Sequence, residues 1–208
     1  MSSSVDSVTN LAAPRLVPRS IEARAGDEDL LVTRAQAGDR AAMQEIYRRH
    51  VDSVHRRLTH LLGAEPERED LLQLVFSELF RGLHRFRGDA RLGTYLYRIV
   101  TNVACDHLKR RRRQGRFCSC DDLDQRPGTG PSPEAAMMQR EQLAQAWSYL
   151  DRIKPKKRVA FLLRVMEGLS LEEIADQVGA RPSTIAKRIM HAQRELLAML
   201  RHAERRSR

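Results

Sequence analysis

Thr184, Lys187, Arg188 and His191 recur at steps of three, one and three, so on a helix they share one face. That face would present a hydroxyl, two cations and an imidazole side by side. These groups reach base edges and phosphates in a DNA major groove. Arg181 and Ser183 precede them and belong to the same candidate surface. A second concentration of charge is Lys109 to Arg113, five consecutive cations closing "NVACDHLKRRRR". A helix macrodipole favours cations at its C-terminus, but five in a row exceed what capping requires. Phosphate binding with counterion release is the stronger reading. Asn102, Asp106, Lys109, Arg110 and Arg113 fall on or near one face of that segment. Just upstream, Phe86, Tyr95 and Tyr97 alternate with Arg87, Arg91 and Arg98. Rings interleaved with arginines suit stacking on unpaired bases, although each ring taken singly is better read as core.

Other chemistries find less support. Glu67, Glu69 and Asp70 could serve a nuclease, but they open a helix whose dipole explains them. Neither a Gly-rich phosphate loop nor a Ser, His, Asp constellation is visible, so no enzyme is expected. Cys118 and Cys120 form a CxC, with Cys105 and His107 upstream. Structural zinc normally uses paired spacings such as CxxC, so incidental thiols are the better reading. No metal and no cofactor are expected.

The elements that position these residues read as helices throughout. Ser170 is an N-cap, with Glu173 completing a capping box. Leu171, Ile174, Ala175 and Val178 make an apolar face, and Gly179 stops the helix. Ile185, Ile189, Ala192 and Leu196 then form the buried stripe of a second helix. An ordinary helical hairpin would also carry a solvated polar face. The capping box, tight turn, basic face and charge balance together favour a DNA-reading helix-turn-helix. Further upstream, Met43, Ile46, Tyr47, Val51, Val54, Leu58 and Leu61 form one stripe. Leu72, Val75, Phe76, Leu79, Phe80 and Leu83 form another, behind a start marked by Pro66 and the acids Glu65, Glu67, Glu69 and Asp70. Leu96, Ile99, Val100, Val103 and Leu108 form a third. No segment alternates with period two, so no strands are expected.

Between these halves, residues 114–133 are dense in Gly, Pro, Ser and Asp and read as a linker. Residues 1–26 read as a flexible arm, and 203–208 as a basic tail. The expectation is an all-α chain with two small helical domains, 27–113 and 134–202, on a flexible tether. Lys and Arg total 37 against 27 Asp and Glu, a net charge of +10 that fits a polyanionic partner. No run approaches the ~20 apolar residues of a membrane span. The N-terminus lacks a basic segment followed by an apolar one, so no signal peptide and no membrane insertion are expected. The cytoplasm is the expected compartment, and an odd cysteine count there argues against structural disulfides.

The order of these motifs resembles bacterial sigma factors of the sigma-70 family, extracytoplasmic-function (ECF) type, over residues 27–202. "EDLLQLVFSELFRGLHRFRGDARLGTYLYRIVTNVACDHLKRRRR" resembles the sigma-2 domain, and "YLDRIKPKKRVAFLLRVMEGLSLEEIADQVGARPSTIAKRIMHAQRELLAML" the sigma-4 domain. The resemblance implies a factor that binds core RNA polymerase and directs promoter-specific initiation, leaving the chemistry to the polymerase. Asp70, Gln73 and Phe76 match the pattern that docks on the beta-prime clamp helices, with Leu74 where an acid is usual. The beta flap is the second implied polymerase contact. Thr94, Tyr95, Leu96 and Asn102 match the minus-10 segment, with Tyr95 in place of the usual Trp. Arg91, Tyr95, Arg98, Asn102, Asp106, Lys109, Arg110 and Arg113 are the implied minus-10 residues. Gly168, Glu173, Ile174, Ala175, Thr184, Ile185 and Arg188 match the sigma-4 pattern, which assigns Arg181, Ser183, Thr184, Lys187, Arg188 and His191 to the minus-35 element. Arg181, Ala186 and Lys187 depart from the commoner residues there, so the minus-35 preference need not be the family-typical one. Promoter DNA and polymerase are thus the implied partners. An anti-sigma factor is a third that the family admits, though no residue identifies one.

Overall fold

A computed structural model describes residues 25–115 and 133–206. Among the described residues every regular element is helical. They are α1 (Ala25–Gln36), α2 (Arg40–Leu62), α3 (Arg68–Gly82), α4 (Leu92–Arg113), α5 (Pro133–Arg152), α6 (Pro155–Met166), α7 (Leu171–Val178) and α8 (Pro182–Arg206), with a 3-10 turn at Leu83–Arg85. The all-α expectation holds. Most of the N-terminal arm and most of the linker, including Cys118 and Cys120, lie outside the described residues. The tail expected at 203–208 is helical through Arg206.

Local chemistry explains the boundaries. The Asp39 carboxylate accepts from the Ala41 and Ala42 amides and opens α2. Pro155 stands in the first turn of α6, where its missing N–H costs nothing. The capping box forms as expected: the Ser170 hydroxyl accepts from the Glu173 amide, and the Glu173 carboxylate from the Ser170 amide. Gly179 ends α7 in the left-handed conformation at φ 61°.

The stripes are narrower than the sequence suggested. Ile46, Val54, Leu58 and Leu61 are buried in α2, while Tyr47 keeps 40% of its surface and Met43 and Val51 are half-buried. In α4, Leu96, Val100 and Leu108 are buried as expected, but Ile99 and Val103 are half-buried and Ala104 and His107 take inward positions. One acid also changes role. Glu65 precedes α3 and is buried against α4, where it faces His107 Nε2 at 3.1 Å and accepts from Arg111 at 2.6 Å. It therefore ties two helices together rather than complementing a dipole. Burial pushes its carboxyl up, yet His107 and Arg111 hold it below the ordinary value.

The two halves do not stand apart as beads on a tether. α4 packs on α6 and α7, α2 packs on α6, and one apolar core runs continuously through both halves. Trp147 of α5 lies flat over Gly63, with ring atoms 2.8–3.0 Å from where a Cβ would stand. The Arg158 guanidinium donates to the carbonyls of Leu61 and Leu62 and to the Asp151 carboxylate. These contacts close the C-terminus of α2, which cannot satisfy its last carbonyls internally.

Candidate nucleic-acid interface

α8 turns two faces in two directions. Ile185 and Ala192 are fully buried and Ile189 nearly so, against α6 and α7. Arg181, Ser183, Lys187 and His191 are exposed, and Thr184 and Arg188 half-buried beside them. The predicted minus-35 set is thus one continuous surface on the opening turns of the helix.

α4 is organised differently. A groove of about 930 Å³ runs between α3 and α4, and its walls gather Tyr95, Asn102, Asp106, Lys109, Arg110 and Arg113 with Leu74 of α3. Arg91 caps the start of α4 and Arg98 is exposed, but neither lines the groove. Tyr95 is wedged in place: its ring stacks on Phe86 at 5.2 Å between centroids. Its hydroxyl lies 2.5 Å from where a Cβ on Gly82 would stand, so any larger residue there would displace the tip of the Tyr95 side chain. Asp106 accepts from Lys109 at 2.6 Å, which orients that cation along the rim. The sequence reading missed Arg81, His84, Arg85 and Ile99, which also line the groove. Arg81, His84 and Arg85 close α3 and its following turn, and that basic ending was the available signal.

The five-cation run divides. Lys109, Arg110 and Arg113 face the groove. Arg111 is only 8% exposed and pairs with Glu65, and its other nitrogen reaches Asp151 at 3.4 Å. Reading the whole run as phosphate-binding is therefore corrected, since helical spacing turns every third or fourth member inward.

On α3, Asp70, Gln73 and Leu74 are exposed together, and Leu74 leaves 40% of its surface in solvent. Phe76 is not part of this face. It is 4% exposed and packs on Tyr47, with ring centroids 4.5 Å apart, so it shapes the helix from inside.

Residues 46–114 match the model for sigma-70 region 2, and residues 143–196 that for sigma-70 region 4. The chain is 31% identical to the RNA polymerase sigma-H factor of Pseudomonas aeruginosa, over 78% of this chain and 88% of that one. It is 34% identical to the ECF RNA polymerase sigma factor SigE of Mycolicibacterium smegmatis, over 76% of this chain. The chain belongs to the sigma-70 family, ECF type. It spans 63% of the length of that SigE. Among solved structures, CnrH in complex with the cytosolic domain of CnrY aligns at a TM-score of 0.56 and 20% identity, covering 84% of this chain and 97% of that one. That likeness concerns the fold. In this ECF chain the groove and the Asp70 face lie within region 2, and the basic face of α8 within region 4.

Among the described residues, no group of three His, Cys, Asp or Glu side chains is placed to hold a metal ion. Nor is any helix among them long and apolar enough to cross a membrane. Cys105 is half-buried, and burial pushes its thiol up against the pull of Lys109.

Proposed function

We propose that this chain binds core RNA polymerase and directs promoter-specific initiation, without catalytic chemistry of its own. The carrying observation is that one ECF chain presents three separate surfaces suited to three tasks. Asp70, Gln73 and Leu74 would dock on the beta-prime clamp helices. The α3–α4 groove would hold the minus-10 element through Tyr95, Asn102, Asp106, Lys109, Arg110 and Arg113, with Arg91 and Arg98 on the flanking duplex. A flipped base there would be held by stacking and groove contacts that offset its unstacking. Arg181, Ser183, Thr184, Lys187, Arg188 and His191 would read the minus-35 duplex.

In this reading residues 27–113 and 134–202 are the working domains, region 4 also meets the beta flap, and the site of action is the cytoplasm. CnrH was solved with a protein partner, the cytosolic domain of CnrY. An anti-sigma factor is accordingly the class of regulator proposed for this chain.

Run-off transcription with purified core polymerase, on a pool of promoter fragments, tests the reading. Protein-dependent transcripts sharing two upstream elements are expected. If the start sites stay unchanged while the protein alone shifts specific DNA, a stand-alone regulator replaces this proposal.

A further inference from the structure

α1 lies outside residues 46–114, the stretch that matches sigma-70 region 2. It is nonetheless built onto that domain. Leu31, Val32 and Ala35 are buried in the core. Asp27 pairs with Arg49 at 2.8 Å and Glu28 with His50 at 3.0 Å, which fixes the opening turn of α1 on α2. Near its other end, Arg34 donates twice to Asp39, the residue that caps α2. α1 is thus held at both ends, and its last residue, Gln36, projects from a fixed base.

Gln36 is exposed, so burial does not account for its placement. Its Nε2 donates to the Leu83 carbonyl at 3.0 Å and to the Phe86 carbonyl at 2.8 Å. A side-chain amide nitrogen has two hydrogens, and both are used. The carbonyls belong to the 3-10 turn after α3 and the residue that follows it, where a helix end leaves acceptors without partners of its own. Pinning both constrains what lies between them: His84 and Arg85, which line the groove. Phe86 also carries the ring on which Tyr95 stacks.

The far end of the same connection meets α1 as well. Arg91, which caps α4, is near enough for its charge to act on the Glu28 carboxyl. That carboxyl lies below its ordinary value, held there first by the hydrogen bond to His50 and then by the charges of Arg49 and Arg91, against the effect of burial. Residues 83–91, which join α3 to α4, are therefore braced by α1 toward both of their ends.

We infer that Gln36 is a positioning residue for the minus-10 groove: through the Leu83 and Phe86 carbonyls it sets where His84, Arg85 and Tyr95 stand, so that α1 governs how sharply the groove tells one base from another. The base-reading part rests on the proposed function, whereas the hold on the turn can be measured without it.

The test is amide hydrogen exchange on the full-length chain, paired with run-off transcription by core polymerase on promoters changed at single minus-10 or minus-35 bases. Gln36→Met keeps the length of the side chain and removes both donors. It should speed exchange across residues 83–91 and lower discrimination between minus-10 bases several-fold. Discrimination at minus-35 and binding to core polymerase should stay as in wild type. Gln36→Glu turns carboxylate oxygens toward the two carbonyls and should act in the same direction more strongly. Unchanged exchange would overturn the positioning role. So would a loss of yield that spares minus-10 discrimination or falls equally on both elements, because a merely structural residue would do that. Faster exchange in the variants, with no protein-dependent transcript even from wild type, would uphold the hold on the turn and count against the sigma reading instead.

Discussion

α4 and α8 are both long, amphipathic and rich in cations, yet they use those cations in different ways. On α4 the basic residues crowd the C-terminal end, where the macrodipole already favours them. The structure divides them between the groove and a buried network with Glu65 and Asp151. On α8 the candidate residues sit at the opening turns, and four of the six are exposed. Arg181, just before the helix begins, gains nothing from the dipole. Charge at the end a dipole disfavours points outward to a ligand, while charge at the favoured end can serve the fold as well.

The largest effect that probes this contrast is expected at Arg111. Arg111→Ala leaves the buried Glu65 carboxylate with only His107 beside it and should destabilise the chain by about 3 kcal/mol, seen in thermal or urea unfolding. Unchanged stability would mean that the inward and outward cations of α4 do not differ. On α8, Arg188→Ala should cost about 1–3 kcal/mol, confined to one or two base pairs, when run-off yield is compared across minus-35 variants. A uniform loss over all sequences would reduce α8 to a phosphate binder. Arg113→Ala on the groove rim should weaken holoenzyme binding to every promoter alike, lowering the slope of log affinity against log salt by about 0.9.

The smallest effect is a pH dependence. The Glu65 carboxyl lies below its ordinary value of 4.5 in the folded chain. Its contribution to stability is therefore present above that value and fades as pH falls through the lowered one. Glu65→Gln should flatten the acid limb of the stability profile, and a limb of unchanged steepness would place that dependence on other carboxylates.

Much of the site was legible because it depends on local rules. The capping box at Ser170 and Glu173, the Gly179 stop and the outward face of α8 follow from spacing within one helix hairpin. On α3, spacing within one helix puts Asp70, Gln73 and Leu74 on one exposed face, whereas the Phe76 ring turns inward onto Tyr47. A motif match records that a residue type belongs at a position, not which way it points. The groove was half legible: its α4 wall follows from periodicity, whereas Arg81, His84 and Arg85 enter it only because α3 packs beside α4.

The sequence by itself determined the helical class, the break between two halves, the helix-turn-helix and the family. Each of these is written in periods of three and four residues, in caps, or in the order of motifs. Only the tertiary structure decided that the halves share one core, that Arg111 and Glu65 face each other, and that Arg57 meets Glu167 and Gln177. Those partners are separated by 46 to 120 positions along the chain. Nothing in local spacing selects one such pairing over another. The choice is made by which charged groups remain once the apolar faces have closed over them, each needing a partner to offset its lost hydration.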